Sequence, residues 1–244
     1  MVFYNLFALL AAITAMIVLC FEFKKHNIKI IHALLLPLFF LLLSRIGAHL
    51  LYCYEKNYWY DSISLYFSLN KGGMSLYGGL YLNIVFAAIY GKVIGISPLK
   101  FLDILSPATA FAFSVGRMGC FFAGCCRGFR LPENMVLPDF VPKPHYFPAP
   151  LIAVLVNLII AIILIKSPIQ INKYGKRFAL FIILYGASRF LIGYLRTNQI
   201  IFLGTSMMQI LSIPLVVTGF LLILLIDNKT KIKVLYEKLK TYKS

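Results

Sequence analysis

Seven apolar runs, each long enough to cross a lipid bilayer, constrain this chain more than any other feature of its sequence. They lie at residues 2–21, 28–52, 79–96, 102–122, 148–165, 178–195 and 207–226. A helix needs roughly 18 or more mainly apolar residues to span about 30 Å of hydrocarbon. The sequence therefore predicts an all-α polytopic membrane protein with seven transmembrane helices.

The composition excludes a soluble domain of this size. Hydrophobic residues make up 61% of the 244 residues and charged residues only 13%, which is more apolar surface than such a domain could bury. No repeat or linker divides the chain. We expect a single transmembrane domain over residues 1–244, with short outer loops at about 55–72 and 127–147 and a basic tail at 227–244.

The basic residues indicate the orientation of the chain. With the N-terminus outside, fifteen of the 24 Lys and Arg residues fall on the cytoplasmic side and six on the outer side. Cytoplasmic loops of membrane proteins carry such an excess, so the sequence predicts an N-terminus outside and a cytoplasmic C-terminus. The net charge of +16 is explained by this signal and by a lysine-rich tail suited to anionic lipid, and it requires no nucleic acid.

Three arginines, Arg45, Arg117 and Arg189, fall within or at the ends of the predicted membrane helices. A charged residue at that depth is costly and marks a functional site by default, although a snorkelling or ion-paired structural arginine is the alternative. The acidic residues lie near helix ends or in loops. An anionic ligand from outside the chain is therefore favoured, and lipid phosphate suits the two-donor guanidinium group.

Two glycine-rich segments accompany these arginines: "GRMGCFFAGCCRG" at residues 116–128 and "GGMSLYGGL" at residues 72–80. Glycine-rich turns expose backbone N–H groups that bind phosphate oxygens. Close packing of helices through small residues is the alternative. Taken together, the two segments favour a ligand site.

Three of the five cysteines, Cys120, Cys125 and Cys126, lie in the first of these segments. Close packing as small residues is the favoured role, and a free thiol or a disulfide from Cys120 to Cys125 or Cys126 remains an alternative. A zinc site would need a fourth ligand. The only outer-loop histidine, His145, is nineteen residues further on, so no metal is expected.

The first segment resembles the signature G-R-x-G-N-F-x-N-G-E-x-x-G of the bacterial prolipoprotein diacylglyceryl transferases, and "GGMSLYGGL" resembles their G-G-M-S-F-H-G-G-L. Four more segments resemble the family in the same order along the chain. They are "FYNLFALLAA", "SRIGAHLLYCY", "YGASRFLIGYLR" and "SMMQILSIPLVVTG".

The resemblance implies a transferase of the bacterial inner membrane that works without a cofactor. It would move the diacylglyceryl group of phosphatidylglycerol to the cysteine thiol of a prolipoprotein, in the lipobox of its signal peptide, and release glycerol phosphate. The residues implied in catalysis are Arg117, Arg189 and Tyr77. Those implied in binding the phospholipid headgroup are Arg117, Tyr4, Gly78, Gly79, Gly116, Gly119, Gly128 and Arg196.

Several positions depart from the family pattern. Tyr77 stands where the family has a histidine, and a phenol is a poor base at neutral pH. Cys120 and Cys125 replace an asparagine and a glutamate, and Gly193 replaces a second glutamate. Cys120, Cys125 and Cys126 are candidates for compensating thiols. Two alternatives stay open: the same donor with a different acceptor, and a lipid-binding or transport protein without catalytic activity.

Overall fold

A computed structural model describes residues 2–55, 76–138, 141–169, 173–196 and 205–242. Most of the expected outer loop at 55–72 lies outside these residues. So does the side chain of Tyr4, which was expected at the headgroup site.

The described chain is helical, with two isolated antiparallel bridges and no strand in the described ranges. Its helices are α1 (Val2–Lys25), α2 (Ile30–Glu55), α3 (Leu76–Val93), α4 (Pro98–Phe122), α5 (Ala149–Lys166), α6 (Lys176–Tyr194) and α7 (Met207–Tyr242). Among the described residues, six of these helices are long and apolar enough to cross a membrane, and α3 is not one of them. The helical membrane class is confirmed, while the seven-span count and the orientation stay predictions.

Helix α7 extends beyond the apolar run that predicts it. The run ends at residue 226, whereas the helix continues to Tyr242 and has 36 residues, a length of about 54 Å. The added part contains no glycine or proline, and five of its sixteen residues are lysine, which is a good helix former. A hydrophobic run predicts the part of a helix that lies in lipid. It does not predict where the helix ends, because the backbone hydrogen bonds can continue into polar sequence.

The fold divides into two compact units, residues 16–102 and residues 1–15 with 103–244. In the first unit, α2 and α3 pack closely through small residues. A side chain at Gly78 would collide with the backbone of Gly47, and a Cβ at Gly79 would lie 2.8 Å from the carbonyl oxygen of Ser44. Asn83 donates a 2.6 Å hydrogen bond to the hydroxyl of Ser44, so the contact combines close backbone approach with a polar link.

In the second unit, the buried carboxylate of Asp103 joins α4 to the start of α6. It accepts hydrogen bonds from the backbone N–H groups of Gly175, at 2.6 Å, and Phe178, at 2.7 Å. The first N–H groups of a helix have no partner within the helix, and here another helix provides one. Nearby, Nε of Arg177 donates to the carbonyl of Leu164 in α5, so three helices are linked at one end.

A short ribbon follows α4 at the other end of that helix. The N–H of Gly128 donates to the carbonyl of Phe147, and the N–H of Phe129 donates to the carbonyl of Leu195 after α6. The rings of Phe129 and Phe147 stack at 5.1 Å, and Gly128 forms an antiparallel bridge with Arg196. The ribbon therefore holds the residues that follow α4 against the end of α6.

The orientation is tested with fused reporters. We expect a reporter placed after Ser244 to be active in the cytoplasm and one inserted in the 127–147 loop to be active outside, because the basic residues are concentrated in the segments assigned to the cytoplasm. Activity of both reporters on the same side would contradict the predicted topology.

Candidate functional site

Arg117 lies near the C-terminal end of α4, fourteen residues and about 21 Å along the helix from Asp103. Its guanidinium is within hydrogen-bonding reach of the Tyr185 hydroxyl in α6, and its Nη1 lies 3.9 Å from Sγ of Cys120. A Cβ built at Gly116 would meet no atom within 4 Å. Arg117 therefore contacts α6 and the cysteines, and there is open space beside the glycine that precedes it.

Arg196 reaches the same region from the end of α6. Its positive charge, like that of Arg117, lowers the pKa of the Cys126 thiol. Its Nε atom is buried and makes no hydrogen bond within the described part of the chain. A buried polar atom of this kind calls for a partner such as water or an ion. Two guanidinium groups, one of them with this buried Nε donor, therefore lie near Cys126.

Arg189 is buried in α6, one helical turn after Tyr185. Residues four apart lie on the same helix face, which places Arg189 on the side of α6 that carries the contact to Arg117. The following turn contains Gly193, where a Cβ would lie 2.5 Å from Cγ of Gln209. The side chain of Gln209 thus occupies the space beside the position where the family has glutamate.

Cys120, in the last turn of α4, and Cys125 and Cys126, in the loop that follows, come together at the end of that helix. Their Sγ atoms all lie within 4.8 Å of one another, and each is a free thiol. Hydrogen bonds from the Cys120 and Cys125 thiols, then the charges of Arg196 and Arg117, hold the pKa of Cys126 well below its ordinary value. The pKa of Cys125 is raised by its hydrogen bonds to Cys120 and Cys126 and by burial. Negative charge in the cluster is therefore favoured at Cys126, and the three sulfurs form the group in this region best suited to hold a metal.

The glycines expected at the headgroup site lie in different surroundings. A Cβ at Gly119 would lie 2.7 Å from Cβ of Phe7, and one at Gly128 would lie 2.6 Å from the carbonyl oxygen of Leu195. Gly78 and Gly79 pack on α2 in the other unit. These four glycines make close packing contacts, whereas Gly116 borders open space.

Tyr77, expected in catalysis, belongs to the unit of residues 16–102. Its side chain is fully buried in α3, with its ring centroid 6.3 Å from that of Tyr81. Of the residues expected in catalysis, Arg117 and Arg189 belong to the other unit, where they lie on α4 and α6.

Tyr185 is a site residue that the sequence reasoning did not identify. It is buried, packs its ring 5.0 Å from that of Phe113, and presents its hydroxyl to Arg117. Its spacing of four residues before Arg189 is the signal that could have identified it, because that spacing aligns the two side chains on one helix face.

The fold and this site define a polytopic helical membrane protein in which an arginine near the end of one helix contacts a second helix that also carries a buried arginine. Residues 1–225 match the sequence model of the family described as prolipoprotein diacylglyceryl transferase. The chain belongs to the prolipoprotein diacylglyceryl transferase family, which is a family of enzymes.

Similar curated proteins include three phosphatidylglycerol–prolipoprotein diacylglyceryl transferases of streptococci. That of Streptococcus mutans is 32% identical over 213 residues, covering 84% of this chain and 82% of its own length. That of Streptococcus uberis is 31% identical, with 74% and 73% covered. That of Streptococcus suis is 30% identical, with 78% and 74% covered.

Proposed function

We propose that this protein transfers the diacylglyceryl group of phosphatidylglycerol to the cysteine thiol of a prolipoprotein. The names of the streptococcal relatives give both substrates. The observation that carries the proposal is the convergence of Arg117 and Arg196 near Cys126, with a buried Nε donor on Arg196. Such an arrangement suits a phosphate group in a region of low dielectric.

The reaction would form one bond and break one bond. The sulfur of the acceptor cysteine attacks a glyceryl carbon of the lipid, the carbon–oxygen bond to phosphate breaks, and glycerol phosphate leaves. The thiol proton must pass to a base, and the leaving phosphate gains negative charge. Arg117 would stabilise that charge, with Arg189 and Arg196 completing the cationic site, because donors aimed at developing charge are most effective where water is excluded.

The remaining assignments belong to the same proposal. Tyr77 stays the candidate for proton transfer, and Tyr4, Gly78, Gly79, Gly116, Gly119 and Gly128 stay candidates for headgroup binding. Among these glycines, Gly116 is the one beside open space. The chain would act as one domain of the bacterial inner membrane, with this end of α4 on the outer side and its lipid donor entering from the bilayer.

A second candidate function is transfer from the same donor to a different acceptor. It is favoured by the short connection between α4 and α5, residues 123–148, which is tied down as a ribbon. A compact connection offers little surface for a protein substrate.

Two measurements test these functions. We expect the chain to restore growth and lipoprotein processing in a bacterial strain depleted of its own diacylglyceryl transferase. We also expect the purified protein to release glycerol phosphate from labelled phosphatidylglycerol when a lipobox peptide is added. Release with the diacylglyceryl group recovered on an acceptor other than the peptide would favour the second function. No release would favour a lipid-binding protein.

A further inference from the structure

The cysteine cluster, defined as Cys120, Cys125 and Cys126, is not needed by the proposed transfer reaction. Its sulfurs come from two places in the chain, the last turn of α4 and the loop that follows it. All three Sγ atoms lie within 4.8 Å of one another. Cys120 is buried, Cys126 is half-buried and Cys125 is exposed. The cluster is therefore shielded by protein at Cys120 and open to solvent at Cys125.

The backbone is shaped to bring these sulfurs together. The N–H of Cys125 donates to the carbonyl of Cys120 at 3.1 Å, which closes the loop. Gly124 has φ +63° and Cys126 has φ +57°, both in the left-handed region. Residues with a Cβ rarely adopt that conformation, and those held in it cluster at functional sites. Close packing of small residues would not require a cysteine at such a position.

We propose that Cys120, Cys125 and Cys126 form a three-thiolate site for a thiophilic metal ion, either Zn²⁺ or Cu⁺. Three sulfurs bound at about 2.3 Å from one zinc ion lie roughly 4 Å apart. The distances in this cluster need only a small closure to reach that value. Thiolates select Cu⁺ and Zn²⁺ over harder ions, and three protein ligands leave a fourth position of zinc for water.

The surrounding charges suit the bound state. Three thiolates with Zn²⁺ carry a net charge of −1, or −2 with Cu⁺, and binding releases to solvent the protons that the thiols still hold. Arg117 and Arg196 both act on the thiol of Cys126, and Nη1 of Arg117 lies 3.9 Å from Sγ of Cys120. These two cations would offset the negative charge of the bound cluster, and the cluster and the lipid phosphate would then compete for them. The exposed Cys125 provides the path by which an ion would enter.

The test uses the full-length protein in detergent, reduced and kept free of oxygen. Zn²⁺ and Cu⁺ are titrated in separate arms against a competing chelator, and Co²⁺ is added as an optical probe for thiolate ligation. We expect one equivalent of Zn²⁺ or Cu⁺ and a sulfur-to-cobalt charge-transfer band. Cys125→Ser should weaken binding by about 10²-fold or more, since losing even an outer-shell partner typically costs 10- to 100-fold.

Cys20→Ala is the matched control, because Cys20 is a half-buried thiol of α1 outside the cluster, and it should bind as the unmodified protein does. Since Cys125 is exposed, Cys125→Ser is expected to fold, and size-exclusion chromatography checks this. Equal affinity in the unmodified protein and in Cys125→Ser would overturn the proposal. So would a reduced protein that takes up neither ion while its unreduced form carries a Cys120–Cys125 disulfide.

Discussion

Replacing Arg117 by alanine is expected to lower the rate of glycerol phosphate release by about 10²–10³, the usual loss when one preorganised donor to developing charge is removed. Arg189→Ala should have an effect of similar size. Arg117 of α4 contacts α6 at Tyr185, and Arg189 lies one turn further along α6. Each variant therefore removes one cation from the proposed phosphate site. The rate is measured with labelled phosphatidylglycerol and purified protein.

Arg117→Lys separates charge from geometry. The lysine keeps the positive charge but lacks the planar fork that binds two phosphate oxygens at once, so we expect it to recover little of the lost rate. Arg130→Ala is the matched control, because Arg130 is an exposed arginine of the ribbon and its loss removes the same charge. Full activity in Arg117→Ala, or an equal loss in Arg130→Ala, would contradict the phosphate site.

The membrane class and most helix positions follow from the apolar runs because a bilayer admits few structures. A backbone in hydrocarbon must satisfy its own hydrogen bonds, so each long apolar run has to be a helix. The predicted starts and ends of α5 and α6 differ from the observed ones by one or two residues. The apolar run of α7, predicted to end at residue 226, agrees within two residues with the span Gln209–Asn228. The helix itself continues to Tyr242, because hydropathy reports contact with lipid and not the continuity of a helix.

The site was less accessible to sequence reasoning, because its parts meet only through packing. The sequence indicated Arg117 and Arg189 by their cost in a membrane, but not the contact of Arg117 with Tyr185. The convergence of the cysteines depends on the left-handed backbone of Cys126, which residue type does not predict. Glycine content alone could not separate Gly116, beside open space, from Gly119, packed on Phe7.

The largest effect on stability is expected from Asp103, whose carboxylate is 1% exposed and accepts two backbone hydrogen bonds at the start of α6. Asp103→Ala would leave the N–H groups of Gly175 and Phe178 buried without that partner. Each unsatisfied donor costs about 1–3 kcal/mol, so with two donors the free energy of unfolding should fall by about 2–6 kcal/mol. The measurement is thermal unfolding in detergent, followed by loss of helical circular dichroism.

Asp103→Asn makes this prediction specific. Its amide oxygen can accept a hydrogen bond from one of the two N–H groups, while its NH₂ group would face the other, so we expect a loss of stability nearly as large as that of alanine.

Asp227→Ala is the control, because Asp227 pairs with Lys173 and Lys176 in a part-exposed site, where an ion pair contributes about 1 kcal/mol or less. Since Asp103 lies about 21 Å along α4 from Arg117, molecules of Asp103→Asn that remain folded should transfer at the normal rate. Equal stability in the Asp103 and Asp227 variants would show that the start of α6 does not depend on this carboxylate.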